Sequence, residues 1–365
     1  MRDEAARITA EASGRRPRAV ILGCAGERLS PEEGRFFAAA DPLGFILFGR
    51  NCRTREQLRA LVAQLRGAVG REDAPVLVDQ EGGRVARLRP PAWPSYPPAA
   101  QIAALPDPLA EEAARLAGRL IADDLAEVGI TVDCAPVLDL PAADADPVIG
   151  DRAFGNAPAR VVRLGGAFCE GLLAGGVLPV LKHIPGHGRA RVDSHRACPV
   201  VEADHALLST SDFAPFRALA AMPWAMPWAM PWAMTAHIVY AAIDDSAPAT
   251  FSRSVIDTII RGEIGFGGVL LSDDIAMGAL DGSLAARTSR ALDAGCDLVL
   301  HCTGVLAQMA EIVEAAPPIS PAAQARIAPA EGLRRGSRQD FDRHAAERRF
   351  AALTTATAAA RPVSR

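Results

Sequence analysis

Three histidines, a lysine and an aspartate crowd into fourteen residues of this chain, Lys182-His183-Ile184-Pro185-Gly186-His187-Gly188 followed by Asp193-Ser194-His195. Glycine and proline make the stretch a loop rather than a helix. If it is locally extended, Asp193 and His195 project on one face, two residues apart. A carboxylate beside a histidine fixes the tautomer and stabilises the protonated ring, which suits general acid/base work near neutral pH. Packing would account for one such histidine, but three in one glycine-rich loop point to chemistry. His183, His187 and His195 as metal ligands form the competing arrangement. It lacks cysteine and the helical His-Glu-x-x-His spacing of zinc sites, so no metal and no other cofactor is expected.

A second cluster ends an apolar run, Val269-Leu270-Leu271-Ser272-Asp273-Asp274. An aspartate at the mouth of a buried strand can act as a nucleophile in glycosyl transfer. The alternative is a helix cap; Asp274 fits the cap and Asp273 the mouth. The third cluster is Asp79-Gln80-Glu81-Gly82-Gly83-Arg84-Val85-Ala86-Arg87. Its paired glycines permit a tight turn, its carboxylates can bind sugar hydroxyls, and Arg84 and Arg87 can reach a hydroxyl or a neighbouring carboxylate. A structural turn with an internal ion pair is the plainer reading. In the fourth, Gly150-Asp151-Arg152-Ala153-Phe154, the arginine either binds substrate or forms a surface ion pair.

The elements that must position these groups show as eight apolar runs: Ala19–Cys24, Gly44–Phe48, Pro75–Asp79, Ile130–Val137, Val177–Lys182, Ala233–Tyr240, Gly267–Asp273 and Cys296–His301. Several are continuously hydrophobic, as strands covered on both faces should be. Helical periodicity falls at Arg55–Val69, Leu109–Val128, Ala159–Ala174, Ser254–Ile264 and Ser283–Ala294. Alternation of this kind predicts a parallel sheet, and eight repeats predict one closed (β/α)8 TIM-type barrel. The rival, a doubly wound open sheet, wants a glycine-rich phosphate turn after the first strand; Gly23-Cys24-Ala25-Gly26 is a poor match. In a barrel the active site lies at the C-terminal strand ends. The polar clusters, including Thr235-Ala236-His237, follow strand runs as that rule requires.

The barrel is expected to occupy residues 1–330, with a C-terminal helix or tail over 331–365. That last segment carries eight arginines against four acidic residues, read as a solvated tail or helix face. Residues Met222–Met234 repeat Met-Pro-Trp-Ala three times in tandem. A proline in every fourth position excludes a continuous helix, so the repeat is expected to lengthen a loop before the sixth strand, with some of its tryptophans packed or facing a partner.

The formal charge of −4 offers nucleic acid no basic stripe. Met1 to Arg18 has no apolar h-region and no run is long enough to span a membrane, so neither a secretory signal nor a membrane partner is expected. Seven scattered cysteines read as reduced thiols in a cytoplasmic protein.

The stretches VDQEGGRVARL, APVLDL, VIGDRAFG, LKHIPGHGRARVDSH, MTAHIVY and GGVLLSDDIAMGAL together resemble the bacterial β-N-acetylglucosaminidases of glycoside hydrolase family 3, in family order from about residue 19 to 302. The resemblance implies a TIM barrel in which Asp273 is the nucleophile and His195 the acid/base, assisted by Asp193. It further implies sugar contacts from Asp79, Arg87, Arg152, Lys182 and His183. The implied task is exo-cleavage of N-acetylglucosamine from 1,6-anhydro-N-acetylmuramyl peptides in peptidoglycan recycling, by a monomer acting on a small carbohydrate. The tandem repeat departs from the family pattern, which resembles a single copy. Three other activities stay open from the residues: a glycoside phosphorylase using Arg87 or Arg152 for phosphate, a Schiff-base lyase using Lys182, and a sugar-binding protein without turnover.

Overall fold

A computed structural model describes residues 16–222 and 231–359. Eight strands close into a barrel: β1 (Arg18–Gly23), β2 (Pro42–Leu47), β3 (Val76–Val78), β4 (Val132–Asp133), β5 (Leu178–Ile184), β6 (Trp232–Thr235), β7 (Leu270–Asp274) and β8 (Leu298–His301). Each pairs in parallel with its neighbours in sequence, and β1 closes on β8 through Val20↔Val299 and Leu22↔His301. This is the (β/α)8 barrel that the alternation predicts.

Strand alternation sorts the core into two layers. Ile21, Ile46, Leu77, Val180, Met234, Leu271 and Leu300 fall in one cluster, the barrel interior. Val20, Leu22, Phe45, Val78, Leu181, Leu270 and Val299 fall in the other, packed on the surrounding helices. Residues that alternate in sequence therefore meet different partners although both sets are apolar, which is why the runs read as continuous. Each fully buried Leu, Ile or Phe contributes about 1.5–3 kcal/mol.

The helices Arg55–Val69, Leu109–Glu127, Pro158–Ala174 and Leu284–Ala294 form where the periodicity places them, and Val255–Glu263 winds as a π-helix. The helix Pro31–Ala40 is not legible from periodicity, although a capping box announces it: Ser30 accepts from the Glu33 amide and Glu33 from the Ser30 amide. Helix Pro321–Gly336, which runs across residue 330, closes the lower end of the barrel. Its Arg326 pairs with Asp297 below β8 at 2.6 Å and its Arg334 donates to the Gly176 carbonyl below β5 at 2.8 Å. Helix Arg343–Ala359 packs on Leu109–Glu127. Arg343 lies 2.8 and 2.9 Å from Asp123 and Asp124, Arg349 pairs with Glu112, and Phe350 and Leu353 are buried.

Two expectations are corrected. The fourth and sixth strands are shorter than Ile130–Val137 and Ala233–Tyr240. Pro136 lacks the N–H that would continue β4. After Thr235 the chain leaves the barrel, and Val239–Tyr240 pairs with Val200–Val201 instead. The last repeat copy is also not loop. Trp232 and Met234 are β6 residues with 2% and 3% exposure. Residues 223–230 of the repeat, with Trp224 and Trp228, lie outside the described residues.

Candidate active site

The strand ends at the upper rim surround a cavity of about 420 Å³. Asp79, Glu81, Arg87, Arg152, Lys182, His183, His195 and Asp273 all line it, joined by Phe48, Met234 and Met277. Every predicted catalytic and sugar-contact residue except Asp193 is on this wall, and Asp193 stands directly behind His195.

The floor is an ion-pair lattice. Lys182, 2% exposed on β5, places Nζ 2.9 Å from Asp79 Oδ1 and 2.7 Å from Glu81 Oε1. Arg87 holds the other Asp79 oxygen at 2.9 Å. Arg152 grips Glu81 with Nε and Nη2, each at 2.8 Å. Burial would raise both carboxyls, but the three cations overcome it and hold Asp79 and Glu81 below the ordinary carboxylate range. Burial likewise opposes the charge on Lys182, and the two carboxylates more than compensate, so it stays an ammonium. An amine held protonated is no Schiff-base nucleophile, which removes the lyase reading. With Asp273, Asp274 and Arg84 counted, the wall carries four carboxylates against four cations.

A further acid lies beneath them. Asp133 on β4 is fully buried, accepts one hydrogen bond from the Gln80 amide at 2.9 Å, and has Oδ2 without a partner among the described residues. Burial pushes its carboxyl up to about 8, which favours the uncharged form at neutral pH.

Asp273 and Asp274 divide in role, but Asp274 caps no helix, since the next one begins at Leu284 with Ser283 as its cap. Asp274 Oδ1 accepts from the amides of Ala276 at 3.0 Å and Cys302 at 3.3 Å, which makes it a turn former. Asp273 Oδ1 accepts from the Asp274 amide at 2.7 Å while its carboxylate lines the cavity. Burial would raise Asp273, but His237, His183, the Asp274 amide and Lys182 outweigh it, and the group stays ionised. His237 braces this strand end: Nε2 donates to the Asp274 carbonyl at 3.1 Å and Nδ1 meets Thr250 at 2.7 Å. Burial lowers its pKa.

Asp193 and His195 do meet, though not by extension. Asp193 starts a turn in which Oδ1 accepts the His195 amide at 2.9 Å and pairs with ring Nδ1 at 2.7 Å, which leaves Nε2 to act. The remaining histidines have other partners. His183 Nδ1 lies 2.7 Å from Asp139 Oδ2, and Asp139 Oδ1 accepts the His187 amide at 2.6 Å. His187 Nε2 lies 3.0 Å from Ser194 Oγ. Burial brings His187 down to about 4, a neutral ring. Among the described residues no group of three His, Cys, Asp or Glu is placed to hold a metal ion.

Asp139 is the residue at this site that sequence reasoning passed over, and Glu81 is covered only as one carboxylate of its cluster. Both lie within the family-like stretches, and the strand-end rule applied to Asp139 after β4 would have flagged it. Arg84 reaches a carboxylate, one of the two partners expected of it, and pairs at the surface with Asp151 at 2.9 Å, whereas the surface ion pair expected as the alternative for Arg152 does not form, because Arg152 turns inward to Glu81.

Known proteins similar to this chain in sequence or fold are numerous. Residues 35–328 match the family of the glycosyl hydrolase family 3 N-terminal domain. A β-hexosaminidase of Alkalilimnicola ehrlichii is 39% identical over 288 residues, covering 78% of this chain and 80% of the relative. One of Pseudomonas aeruginosa is 39% identical over 285 residues, covering 78% and 82%. The crystal structure of NagZ from Neisseria gonorrhoeae in complex with N-trifluoroacetyl-D-glucosamine superposes with a TM-score of 0.81 at 32% identity, over 93% of this chain and 99% of that one.

Proposed function

The chain belongs to glycosyl hydrolase family 3, and from that premise we propose that it is a retaining exo-β-N-acetylglucosaminidase acting through a glycosyl-Asp273 intermediate, with His195 as acid/base. The observation that carries this reading is the placement of an ionised, half-buried Asp273 and the Asp193-backed His195 on one cavity wall. Asp273 attacks the anomeric carbon while His195 Nε2 gives its proton to the leaving oxygen. His195 then takes a proton from the water that hydrolyses the glycosyl-enzyme.

Asp79, Glu81, Arg152, Lys182 and His183 hold the terminal sugar. A carboxylate already fixed by cations still has lone pairs for hydroxyls, and the fixed geometry makes the recognition specific. His183 is oriented by Asp139, so its Nε2 is the ring nitrogen left for substrate.

The substrates we assign are N-acetylglucosaminyl-1,6-anhydro-N-acetylmuramyl peptides released in peptidoglycan recycling, cleaved by a monomer in the cytoplasm. Seven free cysteines, none in a disulfide, agree with a reducing compartment. Among the described residues no helix is long and apolar enough to cross a membrane. The phosphorylase alternative is weakened because Arg87 and Arg152 are already engaged by Asp79 and Glu81.

Hydrolysis of 4-nitrophenyl N-acetyl-β-glucosaminide beside the glucoside, with and without phosphate, tests the reading. Release from the N-acetyl substrate at a rate independent of phosphate is the expected result. Preference for the glucoside, or a phosphate requirement, would overturn it.

A further inference from the structure

The acid/base histidine stands on an otherwise exposed turn: its side chain is 63% exposed, and that of Asp193 26%. Ser194 between them is 3% exposed. Its side chain turns inward to His187, Oγ to Nε2 at 3.0 Å. His187 is itself 4% exposed and tied through its amide to Asp139. On the other side the Ser194 carbonyl accepts from the Ala279 amide at 3.1 Å. Ala279 belongs to the loop after Asp273. The contact there is backbone on backbone, because a Cβ on Gly278 would come within 2.7 Å of the His195 carbonyl oxygen and 3.2 Å of that of Arg196. Gly278 is exposed and its φ is not in the left-handed region, so what it provides is clearance. The end of the loop is pinned as well, by the Val239 amide donating to the Pro199 carbonyl at 3.0 Å.

We infer that Ser194, seated on His187, and Gly278, flush against the His195 carbonyl, are positioning residues that set where the acid/base stands relative to Asp273. The inference rests on the reaction assigned above. The serine fixes the turn from its buried side. The glycine lets the nucleophile's own loop fix it from outside. Backbone contacts therefore join the two loops that carry the reacting groups, and neither positioning residue needs to touch substrate. Proton transfer is sensitive to placement of this kind, since donor and acceptor must come within hydrogen-bond reach.

The test compares leaving groups in Ser194→Ala and Gly278→Ala. With 2,4-dinitrophenyl N-acetyl-β-glucosaminide the aglycone departs without a proton, so kcat/KM should stay within about 3-fold of wild type. With the phenyl glycoside, which needs the acid, it should fall about 10-fold or more, a fraction of what general acid catalysis contributes. Glycosyl-enzyme should accumulate from the dinitrophenyl substrate and be released by azide. Equal losses on both glycosides, or wild-type rates on both, would overturn the inference. His187 supplies a second measurement should the alanine at 278 prevent folding. His187→Gln, which keeps a polar group at similar reach, should behave nearly as wild type, and His187→Leu should reproduce Ser194→Ala. If the glutamine variant is as impaired as the leucine variant, the Ser194–His187 contact is not the seat. Failure of the reaction assignment looks different: wild-type protein would release no N-acetylglucosamine from either glycoside.

Discussion

The backbone amide of Asp274 donates to Oδ1 of Asp273 at 2.7 Å, so consecutive aspartates have opposite duties. One shapes the turn, and the other is held by it with Oδ2 outside that bond. Asp273→Ala should remove turnover even of dinitrophenyl substrates while leaving thermal unfolding close to wild type. Sustained hydrolysis by a folded variant would refute the nucleophile.

His195→Ala should act mainly on the second step for activated substrates. Steady-state rate falls roughly 10²–10⁴-fold, the usual worth of a general acid/base. Azide, needing no deprotonation, should restore release as the glycosyl azide; pre-steady-state bursts and product analysis measure both.

Lys182 neutralises two carboxylates at once, so Lys182→Met should leave both under-compensated. A cost of roughly 3–5 kcal/mol in stability is expected for a broken buried pair, with weaker substrate binding. Asp79 and Glu81 have folded pKa values below their unfolded ones. Their contribution is therefore present above the unfolded pKa and lost as pH falls through the folded one. The deficit of the variant should shrink on acidification, as chemical denaturation at several pH values will report.

Asp133 runs the other way. Its folded pKa, about 8, lies above the unfolded value. Its contribution is complete below the unfolded pKa and is lost progressively as pH rises to about 8. Asp133→Asn mimics the protonated acid: its carbonyl can keep the Gln80 amide and its NH2 replaces the hydroxyl. The variant should match wild type near pH 4 and gain on it toward pH 8, by at most about 1.4 kcal/mol per pH unit. A constant difference between the two proteins would contradict the assignment.

Removing residues 223–230 leaves Met222 joined to Pro231 and a single repeat copy leading into β6. That variant should keep its kcat. Trp232→Ala, in the copy that enters the barrel, should cost about 3–5 kcal/mol, the range for emptying a buried aromatic site. Thermal melts and kinetics on the same samples distinguish the two.

The barrel was legible because eight apolar runs alternate with periodic helices, and Asp273, His195 and Lys182 because polar residues at strand ends are conspicuous after Leu-rich segments. What escaped was set by tertiary geometry. Nothing local says that Asp139 orients His183, that Arg152 reaches back seventy-one residues to Glu81, or that Ser194 faces inward between the half-buried Asp193 and the exposed His195. Asp133 hid because one acid in a strand reads as a solvent-facing residue. The tandem copies are alike in sequence, so only the residue beyond the last copy distinguishes the one that joins the sheet. That residue is Thr235, whose hydroxyl meets Thr250 at 2.8 Å.

The balance of four carboxylates and four cations in the cavity bears on how the protein responds to ionic strength. Each lattice contact lies well inside a Debye length of about 8 Å at physiological salt, and in a place mobile ions scarcely enter. A sugar ring without charge is neither drawn in nor repelled by such a wall. Capture of neutral glycosides should thus be nearly flat from dilute buffer to high salt, and any salt dependence seen with larger substrates belongs to their aglycone.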